Sequence, residues 1–495
     1  MRNVRINRTV TLLCALLIAA SVRADSALSE HPEVAGALGV IDAWVAATRA
    51  YDEIPGVSVG IVHDQDLIFA RGYGYANPQA DIPADADTIY SVCSISKLFT
   101  SIAVMQMRDQ DKLTLRDPVT QHLPWAEAIQ QQHAEAGPAR IVGLLTHSSG
   151  LPREADFPYW GGDFPFPERA AMIERLAEQA TLYPSDTLFQ YSNLGLTLAG
   201  EIAAHHGGAP YADYVRSAIL DPLAMADTRP FFPVDLHGKQ MAVGYAGKFR
   251  QRDRKPVKPF DTRAIAPAAG FTSTVNDLAR FASWQFRTLD GEANAVLAPN
   301  TLREMHRVHW VDPDWKTTWG IGFVVTEQNG TSVVGHGGGC PGYITQFALV
   351  PKYKLGVIVL TNAADGPAGR LTGGIMKTVG AALAKAGKAA EATAQADAAG
   401  DSDEDAPADL ETFAGNFGGT VWGGEVAVRV WGDQLAAVRL PADNLDEITR
   451  LKREEGDTFV RVTDDGEERE AWRFERDAQG RVAAFWRHSM RIPRI

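Results

Sequence analysis

Two groups of strand-like segments, one at residues 56–76 and the other at 319–360, constrain this chain more than any other feature. In the first, Val57, Val59 and Ile61 alternate with Ser58 and Gly60, and Leu67-Ile68-Phe69 follows the turn-like Asp64-Gln65-Asp66. Alternation of period two around a polar turn predicts a hairpin. In the second group, Trp319 to Val325 and Ser332 to Gly335 flank Asn329-Gly330, a strong hairpin turn. Phe347 to Val350 and Leu355 to Leu360 flank Pro351-Lys352 in the same way. Between the groups, Leu98, Ile102 and Met105 form a helical stripe, and residues 110 to 270 mix helical segments with loops punctuated by Pro and Gly. Residues 367 to 386 read as a further helix. Strands at both ends with helices between predict an α/β fold. One sheet is assembled from distant segments, a helical lobe is inserted, and small molecules bind in the cleft between.

The flanks differ in kind. Residues 387–408 are Ala-rich, then acidic at Asp401, Asp403, Glu404 and Asp405, with few large apolar side chains, which predicts a linker. In 409–495, Val426, Val428 and Val430 alternate, and Phe474, then Val482 and Phe485-Trp486, flank the turn Asp477-Ala478-Gln479-Gly480. A small all-β barrel or sandwich fits that spacing. At the other end, Arg2, Arg5 and Arg8 precede the apolar Val10 to Ala20, and Val22-Arg23-Ala24 closes on a small residue. This is the pattern of a signal peptide, and its apolar core is too short to span a bilayer. An uncleaved anchor is the alternative. The expected organisation is a signal peptide at 1–24, an α/β unit at 25–386, a linker at 387–408 and the all-β module at 409–495. The mature protein is expected to begin near Asp25 and to be exported, periplasmic or secreted, with no stable membrane span.

Charge and cysteine usage exclude several classes. Net charge is 48 − 61 = −13, and without the four N-terminal arginines 44 − 61 = −17, which repels phosphate backbones and argues against nucleic acid as a partner. Past the signal peptide only Cys93 and Cys340 remain, too few for a disulfide framework. Both lie beside motifs described next and read as separate buried thiols, with a disulfide between them as the alternative. No Cys/His spacing resembles a zinc site, and His205-His206 are adjacent, so neither a metal nor a cofactor is expected.

Three short stretches can carry chemistry together. In Ser94-Ile95-Ser96-Lys97, a strand gives way to a helix, and the i, i+3 spacing puts Ser94 and Lys97 one turn apart. A serine hydroxyl is a weak nucleophile until a neighbouring base takes its proton, and a desolvated lysine helps supply that base. Tyr191-Ser192-Asn193 heads an apolar helix (Leu194, Leu196, Leu198, Ile202) ending at Gly207-Gly208. A tyrosine beside a lysine can act as a base and an asparagine can hold an amide. Equally, Asn193 can be a plain helix cap. His336-Gly337-Gly338-Gly339 follows a strand, and its glycines let a substrate lie against the backbone and leave an N–H for an oxyanion.

In order and spacing these stretches resemble the penicillin-recognising serine hydrolases, close to the class C β-lactamase and DD-peptidase branch. Leu144-Leu145-Thr146-His147-Ser148-Ser149-Gly150-Leu151 and Gly270-Phe271-Thr272-Ser273-Thr274 with Asp277-Leu278-Ala279-Arg280-Phe281 resemble the family too, and read as scaffold. The resemblance runs from about residue 45 to 385. It implies that Ser94 is acylated, that Lys97 assists the proton transfer, and that Tyr191 is the general base for acylation and then activates the deacylating water. It also implies that Asn193, His336, Gly337 and Gly338 contact substrate and that the backbone N–H groups of Ser94 and Gly339 form the oxyanion hole. Some family peptidases carry a lipocalin-like barrel after the catalytic part, and Leu410 to Gly419 looks like its opening.

His336 stands where many β-lactamases have lysine, and a histidine is only partly charged near neutrality. The His-Gly-Gly form looks like the peptidase and esterase members. The expected activity is therefore an exported serine hydrolase acting through a Ser94 acyl-enzyme on peptides, D-amino-acid-containing ones included, or on small esters and amides. The alternative is a β-lactamase or a slowly deacylating penicillin sensor. Homo-oligomerisation is left open. A competing Gly-x-Ser-x-Gly match at Gly56-Val57-Ser58-Val59-Gly60 lies inside a continuing strand rather than at a strand-to-helix elbow. The aromatic loop Phe157, Tyr159, Trp160, Phe164 and Phe166 reads as loop packing, with a wall of the pocket as the alternative. The basic loop Arg250, Arg252, Arg254, Lys255 and Lys258 reads as solvated surface.

Overall fold

The computed structural model describes residues 28–396 and 409–495, apart from 251, 329, 420–422 and 464–465. The expected signal peptide and residues 397–408 of the expected linker lie outside the described residues, as does Asn329 of the Asn-Gly turn. Contacts divide the chain into two compact units, Glu53–Thr372 and a second formed by the residues up to Asp52 with Gly373–Ile495. The expected boundary near residue 386 falls inside the second unit.

In the first unit, strands β1 (Gly56–His63), β2 (Asp66–Asn77), β3 (Ile82–Pro83), β4 (Tyr90–Cys93), β5 (Phe271–Ser273), β6 (Trp310–Val311), β7 (Thr318–Trp319), β8 (Val324–Gln328), β9 (Thr331–Cys340), β10 (Tyr343–Val350) and β11 (Leu355–Thr361) are described. Nine of them form one sheet in the order β3-β2-β1-β11-β10-β9-β8-β7-β6, while β4 and β5 pair separately. The distant segments meet where β1 pairs antiparallel with β11, Val59 opposite Val359. Every residue of β1 is buried, because two strands flank it and the helix Val275–Leu289 covers one face: a Cβ on Gly60 would lie 2.5 Å from Val275 Cγ1. Ser58 donates to Asp85 O at 2.6 Å and bonds Tyr90 Oη at 2.9 Å, a structural serine as its strand context predicts.

The segment read as one strand from Trp319 to Val325 is broken between β7 and β8. Gly322 adopts φ +77°, and a Cβ there would lie 2.0 Å from Ser101 Oγ, so the chain dips against the helix Ser96–Asp109. That helix is buried from Ser96 to Met107 rather than along one stripe, since packed layers surround it. The last helix, Ala368–Ala396, continues past the expected end at 386, in keeping with the high helix propensity of its alanine run.

In the second unit, eight strands from Gly415–Gly418 to Met490–Pro493 pair in chain order, all antiparallel. Phe417 bridges to Arg494, which nearly closes the sheet into a barrel around Phe413, Phe459, Trp472, Phe474 and Phe485. The helix Pro32–Tyr51 belongs to this unit: Glu33 accepts from Trp431 Nε1 at 2.6 Å and Lys385 Nζ at 2.5 Å, and Trp44 Nε1 donates to Ala442 O at 2.9 Å. No helix among the described residues is long and apolar enough to cross a membrane.

Candidate active site

Ser94 occupies the turn between β4 and the helix Ser96–Asp109, two residues ahead of the helix start where its spacing with Lys97 places it. The turn is held by Ser96, whose Oγ donates to Cys93 O at 2.5 Å and accepts from the Phe271 N–H at 2.9 Å. The Lys97 N–H donates to Ser94 O at 3.1 Å, so the i, i+3 relation survives the shift.

The Lys97 side chain is fully buried. Its Nζ donates to Ser94 Oγ at 3.2 Å, Asn193 Oδ1 at 2.8 Å and Ala268 O at 2.7 Å. Three acceptors match the three N–H bonds of an ammonium, while burial pushes the amine well below its ordinary range, so the group is poised to give up its proton. Tyr191 hydrogen-bonds Ser94, and Lys97 Nζ lies 4.7 Å from its ring centre. Burial pushes its phenol up to about 12, against the pull of the Ser94 hydrogen bond and the Arg153 charge. In the resting site Tyr191 is therefore a neutral phenol.

Asn193 is not the helix cap. Ser192 takes that place, its Oγ accepting from the Gly195 N–H at 2.8 Å, which leaves the Asn193 amide to join Lys97. Its Nδ2 donates to Glu154 Oε1 at 2.7 Å, and the other Glu154 oxygen accepts from Tyr159 Oη.

β9 brings His336 to Gly339 alongside. Gly338 is required by close approach, since a Cβ there would lie 2.2 Å from Val92 O and 2.3 Å from Thr345 Oγ1. At Gly339 a Cβ would meet only Ile344 Cδ1, at 3.4 Å. His336 corrects the expectation of partial charge: it is buried, its Nδ1 donates to Gly337 O at 2.5 Å, and burial with the nearby Lys97 pushes it down to about 3. The site therefore holds a neutral imidazole at physiological pH.

The two cysteines also depart from the expectation of separate thiols. Cys93 and Cys340 form a disulfide, Cα–Cα 5.8 Å, because β4 and β9 converge at the Val92–Gly338 contact. Each cysteine directly adjoins a residue of the expected oxyanion hole, Ser94 or Gly339.

Ser94, Asn193 and Gly339 line a cavity of about 350 Å³ together with Arg153, Glu154 and Trp160. Arg153 and Glu154 were not singled out from sequence, although a charged pair just after Gly150-Leu151 was the available signal. Arg153 Nε lies 3.3 Å from Glu154 Oε1, and its guanidinium carbon 4.9 Å from the Tyr191 ring centre. Of the aromatic loop, Trp160 reaches the cavity, while Tyr159, Phe164 and Phe166 pack on one another or on Phe260. The basic loop is tied down at two points, Arg254 pairing with Asp365 and Lys258 with Asp163.

The family model described as Beta-lactamase matches residues 41–377. Beta-lactamase-like protein 2 of Dictyostelium discoideum is 26% identical over 307 residues, 60% of this chain, so the chain spans about half (54%) of that relative's length. The D-alanyl-D-alanine-carboxypeptidase/endopeptidase AmpH of Escherichia coli K12 is 25% identical over 364 residues, 71% of this chain and 90% of AmpH. Among solved structures, the octameric penicillin-binding protein homologue from Pyrococcus abyssi matches with a TM-score of 0.59 at 23% identity, covering 92% of this chain and 99% of that one, a likeness of fold. With the family model covering most of the chain, this protein belongs to the Beta-lactamase family.

Proposed function

We propose that the protein hydrolyses peptides, D-amino-acid-containing ones among them, or small esters and amides, through a Ser94 acyl-enzyme. The observation that carries this reading is the contact of Ser94 Oγ with both Lys97 Nζ, at 3.2 Å, and the Tyr191 phenol. Ser94 Oγ attacks the acyl carbonyl, and its proton passes to the Lys97 amine, which burial makes a ready acceptor. Tyr191, held as a phenol, hands its proton to the leaving group and is reprotonated from Lys97. This exchanges the roles expected from sequence for the acylation half. In the second half the Lys97 amine takes a proton from the attacking water, whose oxygen bonds the acyl carbon; the Ser94–acyl ester bond breaks, and Tyr191 returns a proton to Ser94 Oγ and is reprotonated from Lys97. The N–H groups of Ser94 and Gly339 receive the oxyanion and Asn193 receives the substrate amide.

A peptidase or esterase fits better than a β-lactamase, because His336 supplies no charge for a lactam carboxylate. The name of AmpH, a carboxypeptidase and endopeptidase, supports the peptide reading. We also propose export, on the basic and apolar N-terminal segment. Self-assembly is supported by the octameric state named for the Pyrococcus abyssi homologue.

The test is intact-protein mass spectrometry of residues 25–495 with benzylpenicillin, an N-acyl D-peptide and p-nitrophenyl acetate, with Ser94→Ala as control. A transient adduct on wild type alone, with peptide or ester turnover, is expected. A long-lived penicilloyl adduct without turnover would instead identify a sensor, and equal turnover by Ser94→Ala would refute the acyl-enzyme.

A further inference from the structure

His147, in the stretch read as scaffold from sequence, ends the short helix Ile141–Thr146 in the left-handed region, φ +60° and ψ 29°. Glycine or asparagine ordinarily fills that position, because a larger side chain is strained there. Strain of this kind persists where the surrounding structure demands it, and an observed outlier is a reason to look for a role.

Three contacts supply the demand. The His147 carbonyl accepts from the Gln190 N–H at 2.7 Å. Its ring Nδ1 accepts from the Ser192 N–H at 3.0 Å. Its ring lies on the Tyr191 ring, centres 4.2 Å apart and planes 30° apart. One residue therefore holds the backbone on both sides of Tyr191 and supports its ring. The outer edges of the imidazole are closed by Trp319 at 4.9 Å and Phe189 at 5.7 Å, so the ring has little room to turn. The Ser192 bond requires a bare Nδ1, and His147 is fully enclosed, which keeps the imidazole neutral.

We infer that His147 is the positioning residue for Tyr191: through its carbonyl, its Nδ1 and its ring it fixes where the Tyr191 phenol stands relative to Ser94. It does not line the cavity at Ser94 and acts wholly through Tyr191. The inference rests on the proposed role of Tyr191 in proton transfer. It also explains why a strained histidine occupies a helix end that glycine would fill without cost: glycine provides the carbonyl but neither the acceptor nor the ring.

The test is a kinetic cycle on the full chain with p-nitrophenyl acetate, comparing wild type, His147→Phe, His147→Asn, Tyr191→Phe and Tyr191→Phe/His147→Phe. His147→Phe keeps a ring and loses the acceptor. It should lower kcat about ten-fold or more, with KM within about two-fold, since a misplaced catalytic group costs rate rather than binding. His147→Asn tolerates the left-handed backbone and offers Oδ1 to the Ser192 N–H, so it should recover kcat to within about three-fold of wild type. In the Tyr191→Phe background, His147→Phe should cost less than about two-fold. An unchanged kcat in His147→Phe, or the same loss in both backgrounds, overturns the inference. Wild-type kcat in Tyr191→Phe would instead remove the proposed role of Tyr191. A second measurement needs neither turnover nor a folded Phe variant: in ¹⁵N-histidine spectra of wild type at neutral pH, the resonance lost in His147→Asn should show a bare Nδ1 and a protonated Nε2. A proton on Nδ1 would rule out the clamp.

Discussion

Asn193 Nδ2 donates to Glu154 Oε1 at 2.7 Å, so a carboxylate orients the amide whose oxygen receives Lys97. An asparagine amide can turn end for end, and here the cation on one side and the anion on the other leave one arrangement. The second Nδ2 hydrogen stays available to a substrate carbonyl. The Glu154 charge also works against burial at Lys97, favouring the protonated amine.

That opposition sets the direction of a pH effect. Glu154→Gln removes the charge that supports the ammonium, so Lys97 loses its proton more readily. If the neutral amine accepts the Ser94 proton, the acidic limb of the kcat/KM profile moves to lower pH in the variant. A limb that stays in place or moves up would contradict this role for Lys97.

Adjacent glycines on β9 should respond differently to one added methyl. Gly338→Ala meets Val92 O and Thr345 Oγ1 and should destabilise the protein by about 1–3 kcal/mol in urea unfolding. Gly339→Ala meets only Ile344 Cδ1 and should leave stability within about 0.5 kcal/mol, while its methyl in the cavity slows acylation about ten-fold. Similar stability losses in both would remove the distinction.

The Cys93–Cys340 bridge ties the neighbours of Ser94 and Gly339 across a sequence separation of 247. Opening it should cost about 2–4 kcal/mol of stability and lower kcat/KM about ten-fold as the two N–H donors lose their mutual placement. Wild type with a phosphine reductant and the Cys93→Ser/Cys340→Ser variant should then behave alike. Full activity in both would show that the strands hold the oxyanion site unaided.

Buried imidazoles make the fold sensitive to acid, and His147, held well below its ordinary range by burial, is joined by two more. His306, bonded to Gln285 and packed on Phe323, is pushed down to about 3, as is His336, against an ordinary 6.5. Below 6.5 the unfolded chain binds protons that the folded chain refuses, so stability rises with pH between about 3 and 6.5 and is complete above that window. The urea midpoint should fall from pH 7 to pH 5, and His306→Gln should flatten the slope. A midpoint independent of pH over that range would show that none of these imidazoles is held neutral.

Much of the fold was legible because its signals are local. Alternation marked β1, apolar runs around a turn marked β10 and β11, and strands at both ends of a helical middle implied one sheet of distant segments, which the β1–β11 pairing joins. The helix Pro32–Tyr51 went unread, since many of its residues are small and its anchor, Glu33 to Trp431, joins opposite ends of the chain. Ser94, Lys97, Tyr191, Asn193 and the His336 to Gly339 run, marked by residue type and spacing, come together in one place. Glu154, Arg153 and the positioning contacts of His147 were missed, because their importance lies in what they face.

The sequence by itself determined residue spacing and the periodicity that makes a sheet with an inserted helical lobe, because rises per residue and turns per helix are fixed by the backbone. Tertiary structure alone decided which groups carry charge, which cysteines meet and which way the Asn193 amide points. Desolvation and orientation depend on every neighbour packed around a group, and those neighbours come from all along the chain: Lys97 lies among Ser94, Asn193 and Ala268, and His336 lies beside the same lysine.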